Sequence, residues 1–245
     1  MIRIDVSDNI KEVTKQLDDL ARKQVPFATA RALTATGRDV RQGLTNTMGS
    51  VFASPTSFVM RSPFSTVATK AKPEVTVGIK DQGNGRASPA DYLKEHFSGG
   101  ARGFKPMELA MQSIGALPGG WRAIPAAGMK LDRNGNPNRN QVREVLGALK
   151  SAMRVHSGKG KRAQTITVFV RPVNGAPKRI EHLAPGIWRR TNTASGAKLE
   201  PVFLFVRGAD YQKVIDLPKL TAEIVQAKFA GHFNTAMQDA LRTAR

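Results

Sequence analysis

Apolar and polar residues alternate over Met1–Val6, where Arg3 and Asp5 separate Ile2, Ile4 and Val6, and this period of two predicts a short strand. Ser7 or Asp8 can cap the helix that follows, because either side chain accepts a hydrogen bond from a free backbone N–H. In that helix Ile10, Val13, Leu17 and Leu20 recur at spacings of three, four and three, the signature of one apolar face. Pro26 has no N–H to offer the preceding turn, so it breaks or kinks the helix, and it suits the first turn of a second one. Phe27, Ala30, Leu33, Gly37, Val40 and Leu44 continue the stripe, so residues 8–46 read as two helices or one long kinked helix.

The pattern then changes. Residues 50–72 are polar, with prolines at 55 and 63, and read as an extended arm or loop. Val75, Val77 and Ile79 alternate with Thr76 and Gly78 and predict a strand. Helices are expected near Ala90–Phe97, within Pro106–Ile114 and over Gln141–Met153, where Val142, Val145, Leu146 and Leu149 share a face. Between the last two, the Gly- and Pro-rich residues 115–138 read as an irregular excursion. Strands are expected at Thr165–Arg171, in the region of 179–190, and at Leu199–Arg207. From about Pro218 a final helix lines Leu220, Ile224, Phe229, Phe233, Met237 and Leu241 along one side.

This order implies an α+β fold: a small, mostly antiparallel sheet flanked by long N- and C-terminal helices, with extended loops or arms. We read 1–245 as one domain with an inserted or expanded loop-rich region at about 81–162. Phe229, Phe233 and Met237 are expected to pack against Leu17, Leu20 and Leu33, and so to join the two ends into a scaffold. Hydrophobic residues make up 40% of the chain but aromatics only 6%, which makes for a lean core at this length.

Charge sharpens the picture. The formal net charge is +19, and its excess sits in the middle: residues 51–210 carry 25 Lys and Arg against 10 Asp and Glu. The flanking stretches are nearly balanced, at 8 against 6 over 1–50 and 5 against 3 over 211–245. That much like charge opposes compaction unless a partner screens it, so nucleic acid or an acidic protein surface is expected to face the centre. Lys159, Lys161, Arg162, Arg171, Lys178, Arg179, Arg189 and Arg190 are the candidate contacts, through charge-assisted bonds to phosphate or carboxylate. Zinc-finger and aromatic RNA-binding signatures are missing, so contact without base readout is the reading, with a solvated basic face as the plain alternative.

Enzyme chemistry finds little footing. There is no cysteine, and His96, His156, His182 and His232 stand at no spacing that pairs two on one helical face. Asp132–Arg143 opens like a calcium loop but puts Pro137 at the turn glycine and Arg143 at the closing glutamate, so a turn followed by a helix cap explains it better. SGKGKR at 157–162 lacks the upstream glycine and the Ser or Thr of a phosphate loop. No enzyme activity, cofactor or metal is expected. With no signal-like segment and no apolar run near the roughly 20 residues of a membrane span, a soluble protein made in a cytoplasm is expected.

Several stretches, taken in order, resemble a known family. They are QVPFATARALTATGRDVRQGL (24–44), YLKEHFSGGARGFKPMELAMQSIGALPGG (92–120), LDRNGNPNRNQVREVLGAL (131–149), LAPGIWRR (183–190) and YQKVIDLPKLTAEIVQAKFAGHFNTAMQDAL (211–241). This order resembles tailed-bacteriophage minor tail proteins of the lambda Z type and related tail-completion proteins. The resemblance implies a non-enzymatic virion subunit of the tail or neck, forming a sixfold or twelvefold ring around the DNA channel. It also implies partners in the portal-side connector and the tail or tail tube. A general nucleic-acid-binding or DNA-packaging-associated protein is the alternative.

Overall fold

The computed structural model describes residues 15, 18, 20–82, 87–151, 155–157, 164–193, 196–208 and 210–243. The strand expected at Met1–Val6 lies outside them. The fold is α+β, as the order of periodicities implies. Where the sequence suggested one domain with an insert at about 81–162, the chain groups into two compact units. Unit 1 combines residues 1–98 with 213–245, and unit 2 is the stretch between them, residues 99–212.

Unit 1 is built on two long helices, α1 (Val25–Val51) and α6 (Leu217–Thr243). Pro26 stands at the start of α1, and the chain enters through a π-turn at Leu20–Gln24, which absorbs the missing proline donor. The helices run antiparallel: Arg31 meets Asp239, Asp39 meets Lys228 and His232, and the site of a Cβ at Gly43 abuts Ile224. Small side chains permit this. Ala28, Ala32 and Thr36 are buried on α1, and Ala236 and Ala240 are the buried residues of α6.

Beyond Gly43 the helix pair opens onto an apolar cluster. Leu44 and Met48 of α1 pack with Leu93 of α3 (Pro89–Ser98) and with Ile215, ringed by Phe52, Val59, Met60, Ile79, Phe97, Leu217 and Leu220. The segment read as an extended arm at 50–72 instead holds a short helix, α2 (Ser57–Met60), and a strand, β1 (Pro63–Ser65). The expected strand near 75–79 is present as β2 (Val77–Ile79), and β1 pairs with it antiparallel. The loops at their ends close on α1, where Thr34 Oγ1 accepts the Ala68 N–H at 3.1 Å and Val75 fills the notch at Gly37.

Unit 2 is a five-stranded antiparallel sheet in the order β4–β8–β7–β6–β5, with β4 (Trp121–Pro125), β5 (Val155–Ser157), β6 (Gln164–Arg171), β7 (Gly186–Thr193) and β8 (Gly196–Arg207). A two-residue pair, β3 (Gly100–Ala101) with β9 (Asp210–Tyr211), closes its ends. One sheet face carries Ala123, Val168, Val170, Ile187, Phe203 and Phe205 into a core with Met111 of α4 (Pro106–Ser113) and Val145 of α5 (Arg139–Ser151). A β-bulge opposite Ile187 and Trp188 adds Val202 to β8, so Val202 and Phe203 are both fully buried. A Cβ at Gly186 would collide with the Phe203 carbonyl, so the two strands need glycine there. β4 corrects the reading of 115–138 as wholly irregular. The strand region at 179–190 begins only at Gly186, after a 3-10 turn at Lys178–Ile180.

Candidate nucleic-acid interface

The basic centre of the sequence becomes a structural unit. Residues 99–212 hold 19 Lys and Arg against 6 Asp and Glu, a net +13, whereas unit 1 holds 19 against 13. Three of the six carboxylates of unit 2 are committed to the fold. Glu108 is fully buried and accepts four N–H groups: Arg102 Nη1 at 2.8 Å and Nη2 at 2.6 Å, and the backbone of Lys105 at 2.8 Å and Ala123 at 2.9 Å. Burial pushes its pKa up, but Arg102 and the two amides outweigh burial and hold it below the ordinary glutamate value.

Glu200 is shared by Lys198 at 2.7 Å and Arg189 at 3.1 Å, whose donors hold its carboxyl low. Asp132 accepts the backbone N–H groups of Asn136 and Asn134 and is likewise held low, first by Asn136. Asn138 then accepts from the amides of Asn140 and Gln141 at the start of α5. The turn and helix cap expected of the calcium-like stretch are therefore both present. That leaves Glu144, Glu181 and Asp210, all exposed, against the cations outside.

Of the eight cations singled out from sequence, two serve the fold. Arg171 donates to the carbonyls of Pro172, Val173 and Glu181 and so fastens the loop after β6, and Arg189 pairs with Glu200. Lys178 and Arg179 on the 3-10 turn are exposed, as is Arg190, whose Nε reaches Asn192 Oδ1 at 3.0 Å. Lys159, Lys161 and Arg162 lie outside the described residues.

Periodicity aimed at the core passed over the other face of α5, where Arg139, Arg143 and Lys150 are exposed. Their spacing of four and seven, which keeps all three off the stripe of Val142, Val145 and Leu149, is the signal that could have found them. Arg122 is a different matter: it is buried, lies over the Phe104 ring at 3.6 Å and donates to the Arg102 carbonyl.

The scaffold residues are placed as follows. Leu17 lies outside the described residues, Leu20 stands in the π-turn, and Leu33 is half-buried on α1. Phe229, Phe233 and Met237 are half-buried on α6, the two phenyl rings stacked at 6.2 Å, while the buried positions are the alanines. Unit 1 also has a cleft of about 410 Å³ with Arg31, Arg38 and Lys70 around Phe27, whose ring lies 5.2 Å from Lys70 Nζ and 5.6 Å from the Arg31 guanidinium.

Among the described residues no cluster of three or more His, Asp or Glu is placed to hold a metal ion, and no helix is long and apolar enough to cross a membrane. No family model, curated protein or solved structure matches this chain.

Proposed function

We propose that this chain is a structural protein of a tailed-bacteriophage virion: a tail-completion or neck subunit that joins head to tail as a ring around the DNA channel. The observation that carries the reading is the division of charge between the units, with net +13 in unit 2 and a more evenly charged, helix-based unit 1. A ring subunit needs surfaces that pack on neighbours and surfaces that meet what the ring encloses. Exposed, unpaired cations without stacking aromatics suit contact with DNA that slides past, because phosphate contacts carry no sequence information. The order of the resembling stretches points the same way. The partners would be further copies in a sixfold or twelvefold ring, the portal-side connector and the tail or tail tube. Assembly would take place in the host cytoplasm and the protein would reside in the virion.

The same cations would serve a general nucleic-acid-binding or packaging-associated protein, and joining separates the two. Purified heads and tails are mixed with and without the protein, and infectious or joined particles are counted. The ring reading expects joining to require the protein and the protein to remain in the particle at the neck. Normal joining in its absence would overturn it.

A further inference from the structure

The inward side of α5 is settled by its contacts: Gln141, Val145 and Ala148 are buried, and Val142, Leu146 and Leu149 pack on the unit 2 core. At 3.6 residues per turn, Arg139, Arg143 and Lys150 fall within an arc of about 40° on the exposed side, roughly 120° round from the middle of the inward one, and span about 16 Å of helix. All three are exposed, and none has an ion-pair partner among the described residues. The other outward residues are Asn140, Glu144, Gly147 and Ser151, so the face has a single carboxylate and no large apolar side chain.

Gly147 is the second observation. It stands mid-helix, between Arg143 one turn before and Lys150 one turn after, where glycine weakens a helix. Gly37 and Gly43 in α1 have packing reasons, since a Cβ there would press on Val75 or Ile224. At Gly147 nothing outside the helix's own backbone lies within 4 Å of the Cβ position. Gly231 of α6 is equally open, but its neighbours one turn away include Ala227, Asn234 and Thr235, and Lys228 is paired with Asp39. Among the described glycines inside helices, open backbone coincides with unpaired cations on both sides at Gly147 alone.

We propose that the outward face of α5 binds the phosphate backbone of double-stranded DNA, with Arg139, Arg143 and Lys150 contacting phosphates and Gly147 letting the duplex approach the helix. Duplex DNA offers one negative charge per roughly 1.7 Å of axis, dense enough to meet all three cations over this length. A second copy of a chain that is itself +19 does not neutralise the face. A protein partner would call for an apolar or aromatic centre to the contact, and single strands for stacking rings, and the face has neither. The inference names a DNA-facing surface for the ring subunit proposed above and rests on that reading for its setting.

The test is binding of a labelled mixed-sequence duplex by the full chain, titrated with salt. The triple change Arg139→Ala, Arg143→Ala, Lys150→Ala should reduce the slope of log affinity against log salt by about 3. Gly147→Leu should weaken binding while the protein stays folded, and Gly147→Ala should raise the melting temperature, because Ala is the better helix former. A charge-matched triple on unit 1, Arg41→Ala, Lys80→Ala, Lys219→Ala, should leave the slope nearly unchanged. The proposal is overturned if wild-type protein does not bind duplex at low salt, if the α5 triple keeps its slope, or if the unit 1 triple loses as much. An α5 triple that binds DNA normally but fails to join heads to tails would assign the face to an acidic protein and also overturn it. Joining without the protein would remove the ring reading and leave the DNA contact standing.

Discussion

Glu108 reaches the outer edge of β4 and accepts the N–H of Ala123 at 2.9 Å. Donors alternate along an antiparallel strand, so Trp121, Ala123 and Pro125 all turn away from β8. Trp121 donates to the Pro118 carbonyl at 3.3 Å and Pro125 has no N–H. No outward donor of β4 is left for a further strand, and the sheet is closed at that side by a carboxylate, a turn and a proline.

Removing that carboxylate should cost far more than one hydrogen bond. Glu108→Ala strands the Arg102 guanidinium, 8% exposed, without its partner, and breaking a buried pair in this way costs about 3–5 kcal/mol. It also frees the Ala123 donor at a sheet edge. We expect a large drop in denaturation midpoint together with concentration-dependent light scattering, and a smaller drop for Glu108→Gln, which keeps an acceptor. A wild-type midpoint for Glu108→Ala would show that the pair does not hold unit 2 together.

Acid should act through the same groups. Glu108, Glu200 and Asp39 have carboxyls held below their ordinary values, Asp39 chiefly by the hydrogen bond from His232. The unfolded chain therefore takes up protons first. The stabilisation is complete above the unfolded carboxylate range of about 4 and is lost as pH falls through the depressed folded values. Urea midpoints should begin a slight decline below the ordinary histidine range of about 6.5, because burial holds His96 below it. They should fall more steeply through the carboxylate range, with a shallower fall there in Glu108→Gln. A midpoint that rose on acidification would contradict the assigned directions.

The long periodic elements were legible in the sequence, and short or mutually dependent ones were not. Val77 and Ile79 alternate in a way only a strand explains, and the stripe from Val142 to Leu149 locates the inner face of α5. β4 was hidden because Trp121–Pro125 is a five-residue strand in Gly- and Pro-rich surroundings, held by Glu108 and β8 rather than by its own alternation. The close approach of α1 and α6 was not legible from the large side chains of α6. Phe229, Phe233 and Met237 dominate any hydrophobicity pattern, yet close helix packing selects the smallest residues, Ala236 and Ala240. Charge type was legible at Arg171 and Arg189, but their commitment to loop carbonyls and to Glu200 depends on neighbours distant in sequence or on the turn's final geometry.

The helix pair can be tested at those alanines. Ala236 is 5% exposed, and Ala236→Leu forces extra volume between α1 and α6, which should cost about 1–3 kcal/mol through overpacking. Phe233 is half-buried, so Phe233→Leu should cost less. Thermal unfolding of both variants gives the order directly. If Phe233→Leu proved the more damaging, the contact would be centred on the phenyl ridge and not on the alanines.

The division of cations into structural and free ones makes the last prediction. Arg171→Ala leaves the carbonyls of Pro172, Val173 and Glu181 without their guanidinium donor and should lower the stability of unit 2 by about 1–3 kcal/mol. Lys178→Ala and Arg179→Ala remove exposed side chains with no ion pair among the described residues, and such changes stay within about 0.5 kcal/mol. Affinity for duplex DNA should follow the opposite order, falling more for the Lys178, Arg179 pair than for Arg171 once each is measured well below its melting temperature. Denaturation curves and salt titrations on the same preparations report both quantities. Equal losses of stability in the two variants would mean that the exposed pair is part of the fold, and its place among the candidate phosphate contacts would be withdrawn.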